Sequence, residues 1–213
     1  MSASPRPKVA PTPPSKFVTH PEHFREYDGQ LWRIFRSQSR RLYSWDQLRE
    51  HGPVLGVRFD PHPLPPGDHA GYGVMYTSAD AITAFAEVYQ GSRVIDRISE
   101  APILVGWKPT RKLELLDLTT NWPVLNTAAA AMMMDDKVST QAWAREIYSQ
   151  LGTQIDGLYH QSSIDNQPMI TLFSRAKTQM SFPSLPSFNA LLNHSAAEAI
   201  VDLAADRLGY SVI

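Results

Sequence analysis

Val74-Met-Tyr-Thr-Ser-Ala-Asp-Ala-Ile-Thr-Ala-Phe-Ala-Glu87 changes its hydrophobic period midway, and that change decides the fold class. Residues 74–76 form a short apolar run of strand type. From residue 79 to 90, Ile82, Phe85, Ala86 and Tyr89 recur at i, i+3, i+4 and i+7, an amphipathic helix with Ser78 placed to cap its start. Further strand-like runs lie at 103–107, 113–118 and 169–173. Helical spacing returns at 141–151, where Trp143, Ala144, Ile147, Tyr148 and Leu151 share a face read as packing and Gly152 stops the helix. Ser195-Ala-Ala-Glu198 reads as a capping box that opens a closing helix through Leu208, ahead of Gly209. Strands alternating with helices give an α+β fold, a mixed β-sheet core with flanking helices.

The 213 residues are 43% hydrophobic and 19% charged, enough for one sizeable core and too balanced for a disordered chain. The absence of cysteine excludes disulfide scaffolds, thiolate zinc sites, iron–sulfur clusters and cysteine nucleophiles. The longest small-apolar run, 128–134, falls far short of the roughly 20 residues a membrane helix needs, and no apolar signal core precedes it. The expectation is a soluble, cytoplasmic protein. A net charge of −1 hides an asymmetry: residues 1–58 hold 10 of the 20 basic residues against 5 acidic ones. Such a half suits phosphates, an anionic substrate or an acidic partner, or is simply a solvated face.

Six of the 17 prolines fall in residues 1–21, and a second cluster, Pro61, Pro63, Pro65 and Pro66, forces a loop. The expected organisation is a proline-rich arm at 1–29, a catalytic domain at 30–175 and a C-terminal extension with its closing helix at 176–213. No dinucleotide-binding glycine motif, Walker sequence, HExxH or GxSxG is present. His20 and His23, and His62 and His69, are spaced as weak candidate ligands, but both pairs border proline-rich loops and read as surface histidines, so no metal is expected.

What remains is an ordered set of segments: Leu31-Trp-Arg-Ile-Phe35, Gly56-Val-Arg-Phe-Asp-Pro61, Val74-Met-Tyr-Thr-Ser78, Ala84-Phe-Ala-Glu87, and Asp156-Gly-Leu-Tyr-His-Gln-Ser-Ser163 leading into 169–173. Together they resemble the RES domain, a family named for its Arg, Glu and Ser positions. The resemblance covers roughly residues 30–175. It implies a fold similar to ADP-ribosyltransferases and a toxin that degrades NAD and is neutralised by an Xre-type antitoxin. By motif, Arg58, Tyr76, Glu87 and Ser162 match the active-site positions, and Arg33 matches a second arginine near the phosphates. Where the family often reads Tyr-Pro-Ser, this chain reads His160-Gln-Ser162 with a further Ser163, so either serine can fill the position.

The chemistry of these residues agrees with those roles. Two guanidinium forks suit a pyrophosphate, so Arg33 and Arg58 are read as its clamp. Tyr76 offers a flat face for a base. Glu87 falls on the flank of the apolar stripe beside Thr83 and Ala84, where a carboxylate can stabilise positive charge developing on a ribose. Ser162 lacks the His/Asp pattern of a covalent nucleophile and is read, with Ser163, as positioning the nicotinamide side. The resemblance thus implies NAD as a substrate, and no cofactor is expected. Water and phosphate stay open as acceptors. ADP-ribose transfer to a macromolecule and a non-catalytic partner-binding domain stay open as alternatives. A homodimer is compatible with the sequence, whereas nucleic-acid binding has neither charge nor motif behind it.

Overall fold

The computed structural model describes residues 12–39, 41–134 and 136–213, so the first eleven residues of the expected arm lie outside it. In chain order the elements are β1 (Phe24–Tyr27), β2 (Leu31–Arg36), β3 (His51–Gly52), β4 (Gly67–Asp68), β5 (Val74–Ser78) and α1 (Ala81–Tyr89). There follow β6 (Val94–Ile95), β7 (Pro102–Trp107), β8 (Leu113–Asp117), α2 (Trp122–Leu125) and α3 (Lys137–Leu151). The chain ends with β9 (Gly157–Gln161), β10 (Pro168–Phe173), α4 (Ser174–Thr178), β11 (Phe188–Leu191), α5 (Ser195–Leu208) and β12 (Ser211–Val212).

An eight-stranded mixed sheet runs β1-β8-β9-β10-β5-β2-β7-β11, with β8 and β9 parallel and its other pairs antiparallel. It is continuous at only one register position between β5 and β2, Trp32 opposite Ser78. Beyond that pair the strands part. Val74 exchanges both backbone hydrogen bonds with Arg49 instead, at 2.9 Å each. The sheet is therefore two halves hinged at one point, with an opening between them.

Alternation along the strands sorts the core. Leu116, Leu158 and Phe173 meet α3 through Trp143, Ala144 and Ile147, whereas Leu113, Leu115, Ile170 and Leu172 pack with Met75, Val105 and Trp107. On the smaller half, Leu104 and the partly buried Trp32 and Ile34 are covered by Ile82, Phe85 and Tyr89 of α1 and by Ala197, Val201 and Ala204 of α5. Within the stretch read as a proline-rich arm, Phe17 is buried between Trp122 and Trp143, its ring centroid 5.0 and 5.8 Å from theirs. Its N–H donates to Gln150 Oε1 at 2.8 Å.

The α+β reading holds, and three helix starts move. α1 is capped by Asp80, whose carboxylate accepts from Ile82 N at 2.8 Å, while Ser78 turns its hydroxyl to Asp80 O. A carboxylate accepts an amide N–H more strongly than a hydroxyl does, so Asp80 takes the cap. α3 begins at Lys137, capped by Asp136, several residues before its apolar stripe. α5 is capped by His194 through Nδ1, which leaves Ser195 inside the first turn; Gly209 ends the helix at φ +66, which favours glycine. No described helix is long and apolar enough to cross a membrane.

Candidate active site

The opening between the sheet halves is a cleft of about 720 Å³, within the size range of small-molecule sites. Arg33 and Ile34 of β2, the length of β5, Ala84 and Glu87 of α1, and the 56–59 loop line it. Five of the six residues singled out by sequence, Arg33, Arg58, Tyr76, Glu87 and Ser163, line this one space. The sixth, Ser162, is 2% exposed and sits behind it.

Ser162 and Ser163 divide their work because they follow the end of β9, where adjacent side chains face opposite ways. Ser162 Oγ donates to Glu87 Oε1 at 2.6 Å and accepts the N–H of Ile164 at 3.0 Å, tying the carboxylate to a turn. Ser163 Oγ accepts from Arg58 Nη1 at 3.2 Å. Burial pushes the Glu87 carboxyl above its ordinary value; the Ser162 hydroxyl and the nearby Arg58 charge partly offset this, and Asp165 adds to the rise. Asp165 is itself held by Thr83 of α1, at 2.7 Å.

Tyr76 lines the cleft and its hydroxyl is buried beside the Arg49 guanidinium; burial and the Asp60 charge raise the phenol, and Arg49 partly offsets this. Arg33 donates to Trp45 O at 3.4 Å and lies over the Phe35 ring. Burial lowers its guanidinium to about 10, partly countered by Asp46. No described carboxylate forms an ion pair with it, and Asp46 acts on it only from beyond ion-pair distance.

The loop carrying Arg58 is held by residues that sequence reasoning passed over. Asp60 is fully buried and accepts from Arg49 Nη2 at 2.8 Å, from Val54 N at 2.9 Å and from the ring of His62. Burial alone raises that carboxyl, yet the His62 hydrogen bond and the Arg49 charge hold it well below the usual carboxylate range. Gln141 of α3 donates to both Val54 O and Val57 O at 2.9 Å. These ties fix Phe59 at φ +54, a left-handed backbone that costs an aromatic residue energy, with its buried ring 4.7 Å from that of His160. Burial pulls His160 down to about 4, so it is neutral at pH 7; its Nε2 bonds Thr171 Oγ1 at 2.9 Å. Asp60 stands two residues from a singled-out arginine and ahead of a histidine, which is the only signal the sequence held of this support.

Two of the four histidines read as surface residues are not at the surface: His23 and His62 are fully buried, His23 bonding Asn121 at 3.0 Å and His62 bonding Asp60, while His69 bonds Pro65 O at 3.0 Å. Among the described residues no three His, Asp or Glu side chains converge as metal ligands.

A divided sheet around a cleft that gathers two arginines, a tyrosine, a glutamate and a serine meets the family model of the RES domain, which matches residues 30–203. The chain belongs to the RES domain family. A chain of the solved M. tuberculosis MbcT-MbcA toxin-antitoxin complex is similar in fold, with a TM-score of 0.55 at 13% sequence identity, covering 86% of this chain and 91% of that one. That likeness carries the architecture, a mixed sheet flanked by helices. A search of the curated proteins finds no match.

Proposed function

We propose that the protein is a toxin-type enzyme that binds NAD in the divided-sheet cleft and cleaves its nicotinamide–ribose bond. One observation carries the reading: a half-buried glutamate, oriented by a serine hydroxyl at 2.6 Å, shares a cleft with two arginines suited to a pyrophosphate. Arg58 and Arg33 hold the two phosphates. Tyr76 stacks on a ring, and Glu87 faces the nicotinamide ribose.

The C1′–N1 bond breaks with its electron pair passing to the pyridinium nitrogen, so nicotinamide leaves neutral and needs no proton. Positive charge then grows on the ribose, and the Glu87 carboxylate stabilises it where water is scarce. The acceptor oxygen of water or phosphate bonds C1′, and a proton of the acceptor passes to Glu87 or to solvent. Ser162 keeps the carboxylate aimed, and Ser163 steadies Arg58. NAD is the substrate, and this chemistry asks for no cofactor.

An enzyme that drains NAD is toxic to the cell that makes it unless it is blocked. An Xre-type antitoxin is the proposed partner, in a cytoplasmic setting. Membership of the RES family and the toxin-antitoxin complex named for the fold relative support this reading. So does the mouth of the cleft, where Met134 is 65% exposed and the exposed Leu55 and Val138 adjoin the lining residues Gly56 and Lys137 in the chain, apolar side chains suited to a protein partner. Incubating the purified protein with NAD, with and without phosphate, and separating the products by chromatography tests it. Nicotinamide with ADP-ribose or its 1-phosphate is the expected outcome and identifies the acceptor. Intact NAD in both buffers from folded, partner-free protein overturns it.

A further inference from the structure

The cleft does not end at Arg33. A second space of about 450 Å³ adjoins it and shares Arg33, Ile34, Tyr43 and Val88 with the first. Phe35, Arg36, Ser39 and Arg41 complete its wall, so with Arg33 three guanidinium groups border one open groove. Arg36 pairs with Glu100 at 3.1 Å and Arg41 with Asp68 at 3.0 Å, and all four of these side chains are 45% exposed or more. Ion pairs exposed in this way contribute little, and an incoming phosphate that accepts bidentate guanidinium hydrogen bonds outcompetes them. Arg33, at the junction of the two spaces, has no paired carboxylate among the described residues, which leaves the groove with a surplus of positive charge.

The adjoining space shares Arg33 with the main cleft, so a ligand clamped on its pyrophosphate at Arg58 and Arg33 continues past Arg33 into it. On the reading above, Glu87 holds the nicotinamide ribose, and the part that continues is the adenosine half. We propose that the Arg36–Arg41 groove is a subsite for a phosphate monoester on the adenosine ribose, so that the protein accepts 2′-phosphorylated dinucleotide as well as NAD. This inference rests on the proposed use of the cleft. Its chemistry is that of the arginine that accommodates a 2′-phosphate in other dinucleotide sites.

Two measurements decide it. Rates with NAD and NADP are compared for the wild type and for the double variant Arg36→Ala, Arg41→Ala. Binding of adenosine 2′,5′-bisphosphate and adenosine 5′-monophosphate to the same two proteins is followed by calorimetry. The wild type should cleave both dinucleotides and bind the bisphosphate at least tenfold more tightly than the monophosphate. The double variant should lose tenfold or more in kcat/KM for NADP and stay within twofold for NAD, with an unchanged melting temperature. Cleavage of NAD without binding or cleavage of NADP overturns the subsite and leaves the proposed function standing. An equal loss on both dinucleotides in the variant also overturns it. If neither dinucleotide is cleaved, the proposed function falls, and equal affinity for the two adenosine ligands removes the subsite as well.

Discussion

Replacing Asp60 by Asn tests whether the buried carboxylate is what holds the Arg58 loop. The two side chains have nearly the same shape, so packing is preserved and charge is removed. Asp60 Oδ2 accepts from Arg49 at 2.8 Å and Val54 N at 2.9 Å, and Oδ1 faces the His62 ring. Asparagine offers one acceptor, so an N–H must face either the Arg49 and Val54 donors or His62, and Arg49 loses its counter-ion. Removing one member of a buried ion pair costs about 3–5 kcal/mol; Arg49, whose side chain is 18% exposed, keeps some contact with water and places the cost near the lower end. For a chain of this size that is roughly 6–12 °C in Tm, read by differential scanning calorimetry at pH 7. The pH dependence has a definite sign. Because the folded-state carboxyl lies below its ordinary value, its contribution is fully present above the ordinary carboxylate pKa and is lost as pH falls toward the depressed one. The gap between wild type and variant should therefore narrow below about pH 4. A Tm loss under about 2 °C at pH 7, or a gap that does not narrow in acid, refutes the reasoning.

Ser162→Ala removes the hydroxyl that favours the ionised Glu87, so the acid limb of the pH–rate profile should move upward and kcat should fall about tenfold; an unmoved limb removes Ser162 as the positioning group. In the wild type, activity should be lost as pH falls through the Glu87 pKa, at a higher pH than an ordinary carboxylate gives, and rate measurements from pH 4 to 8 locate that limb. Trp143→Ala empties a fully buried site between α3 and Trp122 and should cost about 3–5 kcal/mol in denaturant unfolding.

Periodicity carried what was legible. The 74–87 stretch showed its strand and helix because their periods differ, and Glu87 was readable because a carboxylate beside an apolar stripe is close to buried. Helix starts were less so: Ser78 and Asp80 both qualify as caps and the stronger acceptor takes α1, whereas at α5 the backbone path places His194, not Ser195, on the first-turn amide. The division of the sheet left no local trace, since 31–35 and 74–78 both read as strands and nothing in either says that one pair joins them. The Arg49–Asp60–His62 support left little more than the closeness of Asp60 to Arg58, because its members meet only when the proline-rich loop closes. Ser162 was matched by motif with Ser163 as its rival; the end of β9 separates them by turning one toward Glu87 and the other toward Arg58.

The central claim is that Glu87 stabilises a ribosyl cation in this cleft. Nicotinamide release from NAD, measured for the wild type and for Glu87→Gln with the melting temperatures of both recorded, tests it most directly. Glutamine keeps the shape and can still accept from Ser162, so the account predicts an intact fold and a loss of release of at least a thousandfold, about 4 kcal/mol of transition-state stabilisation. Turnover by a folded Glu87→Gln variant at near the wild-type rate contradicts it.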